Sequence, residues 1–286
     1  MKIIANSKWF RLALSDSGKP GPTVCIVGGV HGDETCGPSS IAALERRFLA
    51  GDRLLCGQLL TLLANEEAVR SKRRFVDFDL NRAFGNSNAF GHESQLAPRL
   101  APYLTGMNYV LDLHSTSAPT QPFFAGALTK RHLEMFKMTG LEVYTHGWEI
   151  HRGYTMLIDE VNRLDGVGAI VECGKTGDSQ TDKVAYTTVL HFLQELEMLS
   201  PAKSQSLKSH IVVRIDQTVR ARTENFFFTR NFKNLAPVDA GEVVAYDDGK
   251  PITHPHAFVI AMPTQGKLQA GDEAFGVGII EETFSA

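Results

Sequence analysis

His31 and Glu34 stand three residues apart in Gly28-Gly29-Val30-His31-Gly32-Asp33-Glu34-Thr35, a spacing at which an imidazole and a carboxylate can converge on one ion. The pair has the chemistry of half a metal site. His-x-x-Glu alone is also the pattern of two ordinary polar loop residues, so the weight falls on what else the chain offers. A third donor, His114, stands at the end of the apolar run Tyr109-Val110-Leu111-Asp112-Leu113. Two histidines and one glutamate leave a coordination position open, a common composition for catalytic rather than structural zinc. Glu172 ends another apolar run, Val167-Gly168-Ala169-Ile170-Val171. It has two readings: a glutamate satisfied by backbone amides or an arginine, or a general base beside the metal.

Further polar residues suit a substrate. Asn81 and Arg82 follow one another, and a planar guanidinium beside an amide matches a substrate carboxylate with paired donors. The competing reading is a surface Asn-Arg turn closing on Gly85. Asp79 is placed to orient Arg82 or another site group. Strand alternation puts Asp112 and His114 on one face, and histidine ligands commonly give their second ring proton to a carboxylate. Asp112 would therefore orient His31 or His114.

The elements that must hold these groups alternate. Thr23 to Val27 reads as a buried strand, Pro38 to Leu49 carries helical periodicity, and His31 and Glu34 fall in the turn between them. Gly57 to Asn65, Tyr109 to His114 and Val167 to Gly174 read as further strands. His92 to Leu104 reads as a helix interrupted near Pro98, Met156 to Leu164 as a helix, and Thr181 to Leu199 as a long one. Residues 1 to 20 form an edge strand or arm, and 146 to 154, rich in aromatic and charged residues, suit a site-covering loop. A ligand role for His146 and His151 in that loop competes with simple solvation. The pattern predicts an α/β domain with its ligands at strand ends, where open sheets bind them. The composition shift at Ser200 to Ser206 predicts a linker. Beyond it, short β-type runs separated by turns such as Asp247-Asp248-Gly249 predict a small all-β domain; His254 and His256 there flank Pro255 and read as a turn.

The motifs GGVHGDE, DLNRAFG, DLHST and VECG, in that order, resemble the aspartoacylase and succinylglutamate desuccinylase family, relatives of the zinc carboxypeptidases. The resemblance spans roughly residues 20 to 180 and continues more weakly toward the C-terminus. It implies a zinc-carboxypeptidase-like mixed sheet flanked by helices (residues 1–200) with a C-terminal β domain (207–286), and one zinc ion held by His31, Glu34 and His114. It matches Glu172 to the family's catalytic glutamate. It adds Asn65 and, as a lower-ranked candidate, Arg163 to the substrate contacts. The implied activity is that of a zinc-dependent amidohydrolase on linear amides, a deacylase of N-acyl amino acids. A zinc carboxypeptidase or other amidohydrolase, or a non-catalytic zinc-binding protein on this fold, is the alternative. The chain departs from the family at Glu67, where mammalian aspartoacylases carry a substrate-facing arginine, and at Leu268, where they carry a tyrosine. Arg70, Arg73 and Arg74 are near enough in sequence to substitute for the first.

Composition sets the background. The 286 residues, 43% hydrophobic and 21% charged, suffice for one large domain and a small one. A net charge of −3 and scattered cations supply no basic field, so no nucleic-acid partner is expected. No apolar run is long enough to cross a bilayer, and the N-terminus lacks a secretory pattern, so the expectation is a cytoplasmic protein with no membrane partner. Four cysteines without close spacing fit reduced thiols and give no cysteine zinc site. The expected partner is a small-molecule amide, and a homo-oligomer is compatible with the composition.

Overall fold

The computed structural model describes residues 1–201 and 210–284. Along the chain, β1 (Lys2–Asn6) and β2 (Arg11–Asp16) are followed by β3 (Thr23–Gly28), α1 (Cys36–Leu49), β4 (Gln58–Leu63), α2 (Glu66–Ser71), a 3-10 turn at Leu80–Arg82 and α3 (Gly91–Leu104). Then come β5 (Tyr109–Thr116), β6 (Phe123–Ala125), α4 (Lys130–Thr139), β7 (Val143–His146), α5 (Trp148–Arg152), α6 (Leu157–Arg163), β8 (Val167–Lys175) and α7 (Ser179–Glu195). The C-terminal region is all β: β9 (His210–Arg220), β10 (Phe226–Phe228), β11 (Ala236–Val238), β12 (Ala245–Asp247), β13 (Lys250–Ile252), β14 (Phe258–Ala261) and β15 (Glu273–Phe284).

Among the described residues, twelve strands form one mixed sheet in the order β1-β2-β4-β3-β5-β8-β6-β7-β9-β15-β14-β11. The adjacent strands β4, β3, β5 and β8 are mutually parallel, so their carboxyl ends share one edge. Alternation along these strands feeds two cores. Val24, Ile26, Leu111, Leu113, Ala169 and Val171 face α1, α4 and α7. Cys25, Val27 and Val110 face α3 and α6. Buried on both faces, such strands read as nearly continuous apolar runs, and this is why a polar residue inside one stands out.

Two expectations change in detail. The helix expected to break near Pro98 is continuous from Gly91 to Leu104, with Pro98 and Pro102 inside it. Pro98 lies on the exposed face and Leu96, Ala97 and Leu100 are buried around it, so packing of the apolar stripe outweighs the lost backbone bond. The C-terminal strands have their own core of Phe226, Phe232, Val244 and Phe275 and a separate three-stranded sheet of β10, β12 and β13. Their long strands nevertheless continue the main sheet, because β9 pairs in parallel with β7 through Val143↔Ile211 to His146↔Arg214. The expected linker falls largely on 202–209, outside the described residues. No helix among the described residues is long and apolar enough to cross a membrane.

Candidate active site

The turn after β3 is shaped by glycine. Gly29 takes a left-handed φ of +68°, and a Cβ on Gly32 would lie 2.0 Å from the backbone of Ala68 in α2. Only glycine lets the turn lie this close to α2. His31 and Glu34 thereby lean over the end of β5, where Glu34 Oε2 accepts the Ser115 N–H at 2.9 Å. Because Gly28 pairs with Leu113 in the sheet, His114 emerges beside them. Ligand atoms of His31, Glu34 and His114 all lie within 4.8 Å of one another, and all three residues are buried.

The orientation of each ring is set from behind. His31 Nδ1 lies 2.7 Å from Glu34 Oε1, and its Nε2 lies 3.2 Å from Asp79 Oδ1. His114 Nδ1 lies 3.2 Å from Glu34 Oε2, and its Nε2 lies 2.9 Å from Asp112 Oδ2. Each imidazole thus turns Nδ1 toward Glu34 and gives Nε2 to its own aspartate, an arrangement that fixes tautomer and ring plane for a metal. The alternative left open for Asp112 resolves to His114, and Asp79 serves both His31 and Arg82, the latter at 2.6 Å from Asp79 Oδ2.

The electrostatics around the two rings favour positive charge. Burial pushes Glu34 toward its neutral form, yet the facing imidazoles hold it well below the usual carboxylate range. Burial likewise opposes charge on His114, but Asp112 and Glu34 raise it well above an ordinary histidine. Glu34, Asp79 and Asp112 are all buried around these two rings, and this gathering of acceptors favours positive charge between them. Asp112 Oδ1 and Glu172 Oε2 are buried without a hydrogen-bond partner among the described residues. Two imidazole nitrogens and a carboxylate, with open space beside them, fit a zinc ion by donor type and by number.

Glu172 reaches the same place from the next strand. It pairs with His114 across β5 and β8 and with Phe123 across β8 and β6. Burial, its largest influence, raises its carboxyl to about 7. Neither satisfaction offered by the plain reading of this residue, backbone amides or an arginine, reaches its Oε2.

Arg82 projects from the 3-10 turn, its guanidinium 4.2 Å from the centre of the Tyr154 ring and 3.7 Å from Glu273 Oε2. Arg74 spans Glu34 and Asp79, at 3.4 Å from each, with its side chain 46% exposed. Asn81 is buried and lines the inner cavity. Its Oδ1 accepts the Leu157 N–H at 3.1 Å and its Nδ2 lies 3.5 Å from His114 Nε2, so most of its capacity is already committed inside the fold.

Two expected substrate contacts lie elsewhere. Asn65 is fully buried as the N-cap of α2, accepting from Ala68 N and donating to Glu93; it lines neither cavity at the site. Its side chain is consumed by backbone and carboxylate partners. Arg163 points outward, 66% exposed and paired with Glu160 at 2.6 Å, because α6 turns its Leu157, Ile158 and Val161 face inward instead. Glu67 pairs with Arg70 on the surface of α2, and Leu268 is buried in the C-terminal core. His146 is bound to Glu281 at 2.9 Å, and the side chain of His151 is outside the described residues. His254 and His256 make the expected exposed turn.

Other lining residues carried little signal in the sequence. Thr218, Met262 and Glu273 reach the site from β9, the end of β14 and β15, and only the joining of those strands to the main sheet brings them there. Trp148 and Tyr154 also line it. They belong to the segment whose mixture of aromatic and charged residues marked it as a cover.

Residues 20–196, more than half of the chain, match the model of the succinylglutamate desuccinylase/aspartoacylase catalytic domain. A succinylglutamate desuccinylase of Burkholderia orbicola is 42% identical over 79 residues, 28% of this chain and 23% of that protein. The sequence match therefore spans about a quarter of the length of that relative. A succinylglutamate desuccinylase from Vibrio cholerae superimposes with a TM-score of 0.79 at 17% identity, covering 97% of this chain and 87% of the other. A succinylglutamate desuccinylase/aspartoacylase from Rhodobacter sphaeroides gives 0.76 at 19% identity, covering 96% and 89%. At such identities the structural likeness establishes the fold.

Proposed function

The chain belongs to the succinylglutamate desuccinylase/aspartoacylase family, and from that premise we propose that it is a hydrolase that cleaves the amide bond of an N-acyl amino acid. The observation that carries the proposal is Glu172, a buried carboxyl with an unpartnered oxygen, lining the same cavity as His31, Glu34 and His114. A binding protein without chemistry has no use for such a group, since burying it unpaired is unfavourable.

His31, Glu34 and His114 would hold one zinc ion, which when bound supplies a Lewis acid for the carbonyl and acidifies water. Arg82 holds the substrate carboxylate through its paired donors, with Asp79 and Tyr154 fixing its plane. Asn81 braces His114 and the start of α6. Arg74, at the mouth, offers N–H donors and positive charge to the carbonyl oxygen as negative charge gathers on it. Glu172 takes a proton from the attacking water at a carboxylate oxygen while the water oxygen bonds to the carbonyl carbon. The carbon–nitrogen bond then breaks and Glu172 returns that proton to the leaving nitrogen, giving a carboxylic acid and an amino acid. A nearby divalent charge favours the ionised form of Glu172, which keeps it a base at neutral pH.

The four cysteines are free, which supports a reducing, cytoplasmic setting, and a cavity of about 180 Å³ lined partly by buried residues supports a small-molecule partner. The test is a panel of N-acetyl, N-succinyl and N-formyl amino acids incubated with zinc-replete protein, with metal content measured alongside. Release of free amino acid supports the proposal. A protein that retains zinc and hydrolyses none of them is instead a binding protein on this fold.

A further inference from the structure

A smaller cavity of about 180 Å³, the inner one, shares Glu172 with the larger cavity at the metal site. Much of its wall is carbon, from Phe123, Ala125, Ala127, Met156, Ile158 and Ile170, and its polar lining includes the exposed Glu149, an acid that would itself repel a second carboxylate. Phe123, Ile158 and Ile170 are buried, so this wall is part of the packed fold rather than a surface patch. Among the described residues the only lysine or arginine side chains lining the cavity are Arg74 and Arg82, and both also line the larger neighbouring cavity. Two of the polar groups that line it are already occupied. Asp159 accepts the Met156 N–H at 2.7 Å, and Asn162 accepts the Gly168 N–H at 2.8 Å. Arg163, the cation nearest in sequence, faces outward to Glu160.

We infer that this inner cavity is a subsite for an apolar substituent, and that the preferred substrate is an N-acyl amino acid with an apolar side chain such as phenylalanine or methionine. The inference rests on the deacylase reading and deepens it. Arg82 satisfies one carboxylate, and a second carboxylate placed against this carbon wall would lose its water with no lysine or arginine among the described residues, Arg74 and Arg82 aside, to replace it. An aromatic or thioether side chain there is desolvated favourably, and the cavity has the size of one side chain rather than of a peptide segment. Selectivity thus comes from rejecting the second charge as much as from holding the apolar group.

The test separates binding from turnover. Equilibrium binding of N-acetyl-L-phenylalanine and N-acetyl-L-aspartate is measured by calorimetry on zinc-loaded Glu172→Gln protein, and hydrolysis of both on the wild type. The expected result is binding of the phenylalanine compound tighter by about ten-fold or more. In the same background Met156→Arg, which adds a cation at a half-buried wall position, shifts preference toward the aspartate compound. Ala127→Leu, which fills the cavity, weakens the phenylalanine compound while leaving N-acetyl-L-alanine within about two-fold. Equal or tighter binding of the aspartate compound, or a phenylalanine preference that neither variant alters, overturns the subsite. Apolar preference in binding without hydrolysis of any substrate upholds the subsite and overturns the deacylase reading instead.

Discussion

The side-chain amide of Asn65 donates to Glu93 Oε1 at 2.9 Å, joining the start of α2 to the start of α3 beneath the site. Glu93 is fully buried and also accepts the N–H groups of Val76, Asp77 and Phe78 at 2.7, 3.0 and 3.0 Å. Those amides belong to the loop between Arg74 and Asp79, so one buried carboxylate fixes the backbone that presents the site's cations. Asn65→Ala removes the cap of α2 and a donor to a buried charge together. The expected loss is about 1–3 kcal/mol in urea unfolding. An unchanged unfolding midpoint and slope would show that this linkage contributes nothing.

Asp112 and Asp79 both back a histidine, but they predict different phenotypes. Asp112 serves His114 alone at 2.9 Å, so Asp112→Asn should weaken zinc binding roughly 10- to 100-fold in chelator competition with KM nearly unchanged. Asp79 also holds Arg82 at 2.6 Å, so Asp79→Asn should weaken zinc binding and raise KM as well. Identical effects on KM from the two variants would separate Arg82 from substrate binding.

Replacing the proposed base should leave the metal site standing. Glu172→Gln conserves shape and is expected to retain stoichiometric zinc by elemental analysis while hydrolysis falls roughly 10²- to 10⁴-fold. Wild-type turnover in that variant would assign the proton transfer to another group.

The same carboxyl leaves a signature in the metal-free protein. Burial raises Glu172 from 4.5 to about 7, so between these values the folded chain holds a proton that the unfolded chain has released. Stability from this group is complete below about 4.5 and declines as pH rises through about 7, by up to roughly 3 kcal/mol. Chemical denaturation of zinc-free wild type and Glu172→Gln from pH 4 to 8 should therefore show the wild type losing stability relative to the variant across that window. Parallel curves would mean that the carboxyl titrates in the folded chain as it does in the unfolded one.

Removing Arg82 tests the anchor. Arg82→Lys keeps the charge but loses the planar fork that Asp79 and Tyr154 hold, and KM should rise by about ten-fold or more with little change in kcat. A fall in kcat at unchanged KM would place the guanidinium at the reacting carbonyl.

His31 and Glu34 are legible as candidates from their three-residue spacing in the turn after a strand, and His114 and Glu172 because each ends an apolar run that otherwise has no reason to carry charge. A strand buried on both faces is written almost wholly in apolar residues, so polar exceptions at its carboxyl end announce a site, and their family motifs agree. The role of Asn65 was not legible. An asparagine after a strand looks the same whether it faces substrate or caps a helix, and only its contacts with Ala68 and Glu93 decide. Arg163 differs from Asn162 by one position, and the apolar stripe of α6 determines which of them turns toward the cavity. Thr218 and Glu273 become site residues solely through strand pairing between segments far apart in sequence. Local pattern specifies which residues are able to do chemistry; long-range register decides which of them meet, because it depends on packing against partners that no short stretch of sequence contains.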